Sequence, residues 1–189
     1  MTCPDGQDTC GNRGANVDAI GHSTTDEGIA PLFIASMAGS LGTVNMLLAG
    51  GANVRKISQG QRNPLIAAAE NSHGEVVAAL IEADAEVNAQ SDGVVSALGV
   101  AAAKGHVQIV ETVLRHGAYI NFADYHGHTA LTIAAAEGHT EVVQTLIDEA
   151  AGQLSDIPGF EQAVDLATKE GHRHIEQMLL DRFIDSSLQ

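Results

Sequence analysis

Five segments of this chain align with one another at a fixed spacing of 33 residues. Leu32, Leu65, Leu98, Leu131 and Val164 share one position, and three residues after each stands an alanine: Ala35, Ala68, Ala101, Ala134 and Ala167. Seven residues after each come Gly39, Ser72, Gly105, Gly138 and Gly171. A period of this length constrains the fold because one such unit cannot bury its apolar side alone. Copies have to stack, and each is held mainly by its two neighbours. Composition agrees. Aromatics are 3% and tryptophan is absent, so the large anchors of a single globular core are missing. Alanine and branched aliphatics suit thin layers of closely approaching helices.

Within one copy the apolar spacing predicts two short helices. The first runs from Pro64 to Glu70, with Leu65, Ala68 and Ala69 on one side. The second runs from about Gly74 to Glu82, with Val76, Val77, Leu80 and Ile81 at helical spacing. Pro31 and Pro64 fall in a first helical turn, where a missing N–H costs nothing. The pairs Gly105-His106, Gly138-His139 and Gly171-His172 break the chain between the helices, and Gly51 and Gly117 follow the second helix where a left-handed cap is expected. Neither helix is long enough to be stable in isolation. A side chain larger than alanine at the repeated alanine would force the paired helices apart.

The Thr/Ser-x-Leu opening, the double alanine, Gly-His, Glu-Val-Val (Glu75 to Val77, Glu141 to Val143), the leucine-rich run and the closing Gly-Ala-x-Val-Asn, with Asn88 and Asn121, together resemble the ankyrin repeat. The resemblance covers about residues 26 to 184. It implies an all-α solenoid of stacked helix-turn-helix pairs joined by β-hairpin-like loops. An N-terminal tail or degenerate repeat end, 1–24, would precede a domain over 25–186, with repeats at about 25–57, 58–90, 91–123, 124–156 and 157–186. The family's histidine in the first helix is replaced by Phe33, Ile66, Gly99, Thr132 and Asp165, so the cross-repeat network it makes is expected to be weakened. Gly99 inside a helix should cost ~1 kcal/mol against alanine. The first copy opens with Leu32, Phe33, Ile34 and Met37, apolar for an end facing water. Either residues 1–24 cover it or the array continues upstream in a longer parent.

Nine basic against 24 acidic residues leave a formal charge of −15. This argues against direct binding to nucleic-acid phosphates or anionic membranes; the charge reads first as solubilising, with a partner protein of basic surface as the alternative. No apolar run approaches the ~18 residues that span a bilayer, and the polar head lacks the apolar stretch of a signal peptide. The chain is therefore expected in the cytoplasm, as a monomer. Cys3 and Cys10 both lie in that head and are read as free thiols, with a small disulfide loop as the alternative. No nucleophile motif, phosphate-binding glycine loop or His-Glu-x-x-His is present, so no catalysis and no cofactor is expected. His73, His106, His139 and His172 share one repeat position and read as structural. His126 and His128 lack a third ligand nearby in sequence, so no metal is assigned.

The resemblance implies recognition through hairpin tips and the exposed ends of the first helices, lining one concave face. On the tips these are Lys56, Gln59 and Arg62, then Asp92, Val94 and Val95, then Tyr125, His126 and His128. On the helix ends they are Glu70, Asn71, Lys104 and Glu137. Arg55, Lys56 and Arg62 form a basic island in an acidic chain. Val94 and Val95 are either an apolar anchor or strand residues pairing within a hairpin, and Tyr125 is of the kind enriched at binding hot spots. By the same resemblance Asn88 is a candidate for oxygen-dependent hydroxylation. The expected function is a non-catalytic module binding a partner protein. The alternative is a regulatory or targeting domain cut from a larger enzyme, channel or signalling protein.

Overall fold

In a computed structural model, which describes residues 30–55, 63–91, 95–150 and 159–187, every 33-residue unit carries a pair of helices. The pairs are α1 (Pro31–Met37) with α2 (Leu41–Ala49), α3 (Pro64–Glu70) with α4 (Gly74–Glu82), and α5 (Ala97–Lys104) with α6 (Val107–Arg115). They continue with α7 (Ala130–Glu137) and α8 (Thr140–Glu149), then α9 (Phe160–Glu170) and α10 (Arg173–Ser187). First helices stack on one another in chain order and second helices do the same, giving two layers of helices. Between α4 and α5, β1 (Gln90–Ser91) pairs antiparallel with β2 (Val95–Ser96), Gln90 opposite Ser96. The bridge between Ala123 and Thr129 is the same contact one repeat later. The all-α repeat architecture expected from the period is the one observed.

One continuous apolar cluster runs through all five pairs, from Leu32 to Leu179. The repeated alanine sits at its centre: Ala68, Ala101, Ala134 and Ala167 are each 0% exposed. With no side chain beyond Cβ, successive first helices approach closely at that row. Second helices contribute branched aliphatics, among them Val77, Val110 and Val143.

Adjacent pairs are then pinned by hydrogen bonds that recur along the stack. The Nε2–H of His73, His106, His139 and His172 donates to the carbonyl of Met37, Glu70, Ala103 and Ala136, at 3.1, 3.4, 3.0 and 3.0 Å. Each acceptor lies at or near the end of the preceding first helix, 36 residues back. Each ring reaches it by passing over a residue with positive φ. A Cβ on Gly39, Gly105 or Gly138 would lie 2.4, 2.6 and 2.6 Å from the nearest atom of the passing ring, so only hydrogen fits there. Ser72 is the exception. It holds φ +63° and has a Cβ in that place, and the His106 bond beside it is the longest of the four.

A second set of bonds joins successive loops. Asn88 Nδ2 donates to the Gly117 carbonyl at 3.0 Å while its Oδ1 accepts from the Tyr119 amide at 2.8 Å. One repeat earlier the corresponding residue is Arg55, whose Nε donates to the Asp84 carbonyl at 3.1 Å. Asp84 occupies the place of Gly117, keeps a positive φ of 68°, and pairs its carboxylate with the same guanidinium at 2.5 Å. The same junction is thus closed by an amide in one repeat and by an ion pair in the other. Arg55 is thereby committed within the fold rather than left as part of a free basic island.

The missing family histidine is answered locally. Asn63, Ser96 and Thr129 each accept an amide hydrogen bond at the start of α3, α5 and α7. Thr132, at the histidine position, completes a reciprocal cap with Thr129. The Asn63 amide also donates to Ser91 Oγ at 3.3 Å, tying α3 to the next hairpin. Helix α1 has no side-chain cap, and Ser36 Oγ is buried there without a hydrogen-bond partner. Leu32 and Phe33 are buried, whereas Ile34 and Met37 remain exposed. The residues expected to cover them, 1–24, lie outside the described ones.

Ser72→Gly should stabilise the protein by ~1 kcal/mol, by relieving the positive φ and letting the His106 ring settle. A thermal midpoint raised by about 2–4 °C is expected. Gly138→Ala should cost ~2 kcal/mol through the same geometry, read by urea unfolding. Ser36→Ala should also stabilise, by ~1 kcal/mol, because it removes an unpaired buried hydroxyl and raises helix propensity. Ala101→Leu should destabilise by ~1–3 kcal/mol through overpacking.

Candidate partner-binding surface

The hairpin tip between α6 and α7 is ordered by one carboxylate. Asp124 Oδ1 accepts from the amides of His126 and His128, both at 2.8 Å, and Oδ2 lies 3.2 Å from His128 Nδ1. The Asp124 amide donates back to the His128 carbonyl at 2.9 Å, and the Gly127 amide to the Asp124 carbonyl at 3.0 Å. An aspartate bonding amides ahead of itself, with a glycine at φ +80° closing the turn, is a self-supporting loop. Partial burial pushes the Asp124 carboxyl up, but the His128 and His126 amides and the His128 ring outweigh it and hold it below the ordinary value. The tip thus carries a fixed negative charge at its base.

This tip holds Tyr125 out, 76% exposed, on a backbone that needs no partner to take shape. The rings of His126 and His128 on the same tip lie with centroids 5.8 Å apart, tilted by 39°. Among the described residues no group of three His, Cys, Asp or Glu could hold a metal ion.

The helix-end row is present as side chains pointing outward from the stack. Glu70, Asn71, Lys104 and Glu137 are all exposed. Asn71 Nδ2 is bound to the Ala67 carbonyl of its own helix at 2.8 Å. The carbonyls of Glu70, Ala103 and Ala136, in or next to this row, are acceptors of the histidine ladder. Lys56, Gln59, Arg62, Asp92 and Val94 lie outside the described residues. Val95 is in β2, its backbone paired with Ser91, as the hairpin alternative anticipated. Asn88 has both ends of its carboxamide in the loop junction described above.

A cleft of about 330 Å³ opens between α5, α7 and the segment joining α6 to α7. Its origin is Gly99. The corresponding side chains Phe33, Ile66 and Thr132 are buried, whereas a Cβ built on Gly99 would meet only Ser96 Oγ, at 3.4 Å. The missing side chain leaves a space walled by Val100, Ala103, Ile133 and Phe122. Glu70, Lys104, Asp124 and His128 stand around it. In the sequence Gly99 is only a weak point in a helix, and Phe122 carries no signal of its own. The departure from the repeat pattern was visible; that it opens a space depended on which way that position faces. No described helix is long and apolar enough to cross a membrane.

Among curated proteins none matches this chain significantly. The family model described as Ankyrin repeats (3 copies) matches residues 11–91 and again 92–157. Taken with the stacked helix pairs and the Gly-His ladder, this match shows that the chain belongs to the ankyrin repeat family.

Proposed function

We propose that this protein binds a partner protein through one surface, made of the α6–α7 hairpin tip and the exposed ends of the first helices. Ankyrin repeats are generally protein–protein interaction modules and typically non-catalytic. The observation that carries the finer reading is Tyr125. A large aromatic side chain, mostly exposed, is held on a loop already ordered by Asp124. An ordered loop lowers the entropic cost of association, and tyrosine is a frequent hot-spot residue.

Glu70, Lys104 and Glu137 extend the surface along the stack. Lys56, Gln59, Arg62, Asp92, Val94 and Val95 are proposed to continue it on the neighbouring tips. With a formal charge of −15, the long-range field favours a partner with a basic face. The protein is proposed to act in the cytoplasm as a monomer. Asn88 is proposed as a hydroxylation site; mass spectrometry of native material that finds only unmodified Asn88 peptides removes that assignment.

With a partner recovered by proximity labelling, Tyr125→Ala should weaken binding about tenfold, ~1.4 kcal/mol, and leave the thermal midpoint unchanged. Gln108→Ala, on the exposed side of α6, should leave affinity unaltered. Equal affinities for both variants and the unaltered protein in calorimetric titration would place the binding surface elsewhere.

A further inference from the structure

The Gly99 cleft asks for an occupant. Gly99 is the only one of the five residues at its repeat position with no side chain (Phe33, Ile66, Thr132 and Asp165 are the others). Where the first three of those fill their own repeat, here the space is open to solvent. Its volume, about 330 Å³, is at the small end of ligand pockets. That size suits one side chain better than a whole cofactor. Its walls are apolar: Val100 and Ala103 from α5, Ile133 from α7 and Phe122 from the joining segment.

The rim selects the surroundings of that side chain. The exposed Glu70 carboxylate stands at the α3 edge and the Asp124 carboxylate at the tip edge. Lys104 is the one lysine or arginine among the described lining residues, and the chain as a whole carries −15. A segment with cationic residues flanking an apolar one meets a favourable field on approach and a carboxylate on arrival; an acidic segment meets the reverse.

We propose that the Gly99 cleft receives one apolar side chain, of the size of Leu, Met or Phe, from a partner polypeptide whose neighbouring residues are basic. This rests on the partner-binding reading above and narrows it to a single anchoring pocket. Glu70 takes the flanking cation, Phe122 and Ile133 grip the apolar group, and the Asp124 loop bounds the far side. The glycine is thus a specificity element as well as a break in the helix pattern.

The test uses fluorescence anisotropy at low salt with the full chain and labelled nonapeptides. Each peptide has Leu, Phe or Ala at its centre and Arg or Glu two residues to either side, in a Gly/Ser background. Leu- or Phe-centred peptides with Arg flanks should bind at least tenfold more tightly than their Ala-centred or Glu-flanked counterparts. Gly99→Leu should fill the cleft and remove that binding while leaving the thermal midpoint unchanged or raised. Ala103→Met is a second way of filling it, should Gly99→Leu fail to fold. Glu70→Gln should weaken the Arg-flanked peptides and flatten their salt dependence. The proposal is overturned if no peptide binds, if Ala-centred peptides bind equally well, or if both filled variants bind as before. Peptides that bind the filled variants but are lost on Tyr125→Ala would overturn the cleft and leave the wider surface standing. Peptides indifferent to all of these changes would remove both.

Discussion

Neighbouring repeats are locked together where an imidazole slides over a turn backbone, at three of the four junctions one with no room for a side chain. The apolar cluster supplies most of the stabilisation, as burial does in any stacked architecture. Apolar contact alone does not set the spacing or rotation of successive layers. A directional bond from a ring to a helix-end carbonyl does, and it is shorter at the three turns with hydrogen in place of Cβ than at Ser72. The alanine row and the glycine turn are two faces of one requirement, that neighbouring units come close. Everything displayed on the surface inherits its position from that fit, because the accepting carbonyls belong to the same helix ends whose side chains face outward.

The stack tolerates local exceptions because each contact is between neighbours only. The Asn88 junction and the Arg55–Asp84 junction close the same gap with different chemistry. In the second, two residues differ together: a longer donor and a carboxylate to meet it. The exchange is not neutral in physical terms. Arg55 and Asp84 side chains are 57% and 88% exposed, so their attraction is screened by salt, whereas a carboxamide clamp is not. Thr132 substitutes for an absent histidine in the same spirit, by closing the helix start on itself rather than by reaching across repeats.

Much of this was legible in the residues. The period gave the architecture, and the spacing of Leu65, Ala68 and Ala69 gave α3 with the bounds observed. Proline at Pro31 and Pro64 marked helix starts, and Gly51 and Gly117 the left-handed turns after second helices. The residues proposed for binding were partly legible. Tyr125 could be placed on a tip from register alone, but the role of Asp124 depended on a fold-back over four residues that periodicity does not encode. Arg55 looked like free positive charge because its partner is 29 residues away in sequence. The cleft was harder still. A glycine in a helix has one meaning as propensity and another as an absent wall, and only packing against α7 and Phe122 distinguishes them.

The loosest rung of the histidine ladder, at Ser72 and His106, falls between the second and third helix pairs, near the middle of the stack. In a quasi-one-dimensional array the weakest interface decides where cooperativity breaks. Opening of the stack is accordingly expected first at this seam, between the block of two helix pairs before it and the block of three after. The Gly99 cleft straddles that seam, drawing Glu70 from one block and the rest of its lining from the other. A molecule seated there would act as a rivet, so that occupancy and the mechanical unity of the whole rod rise and fall together.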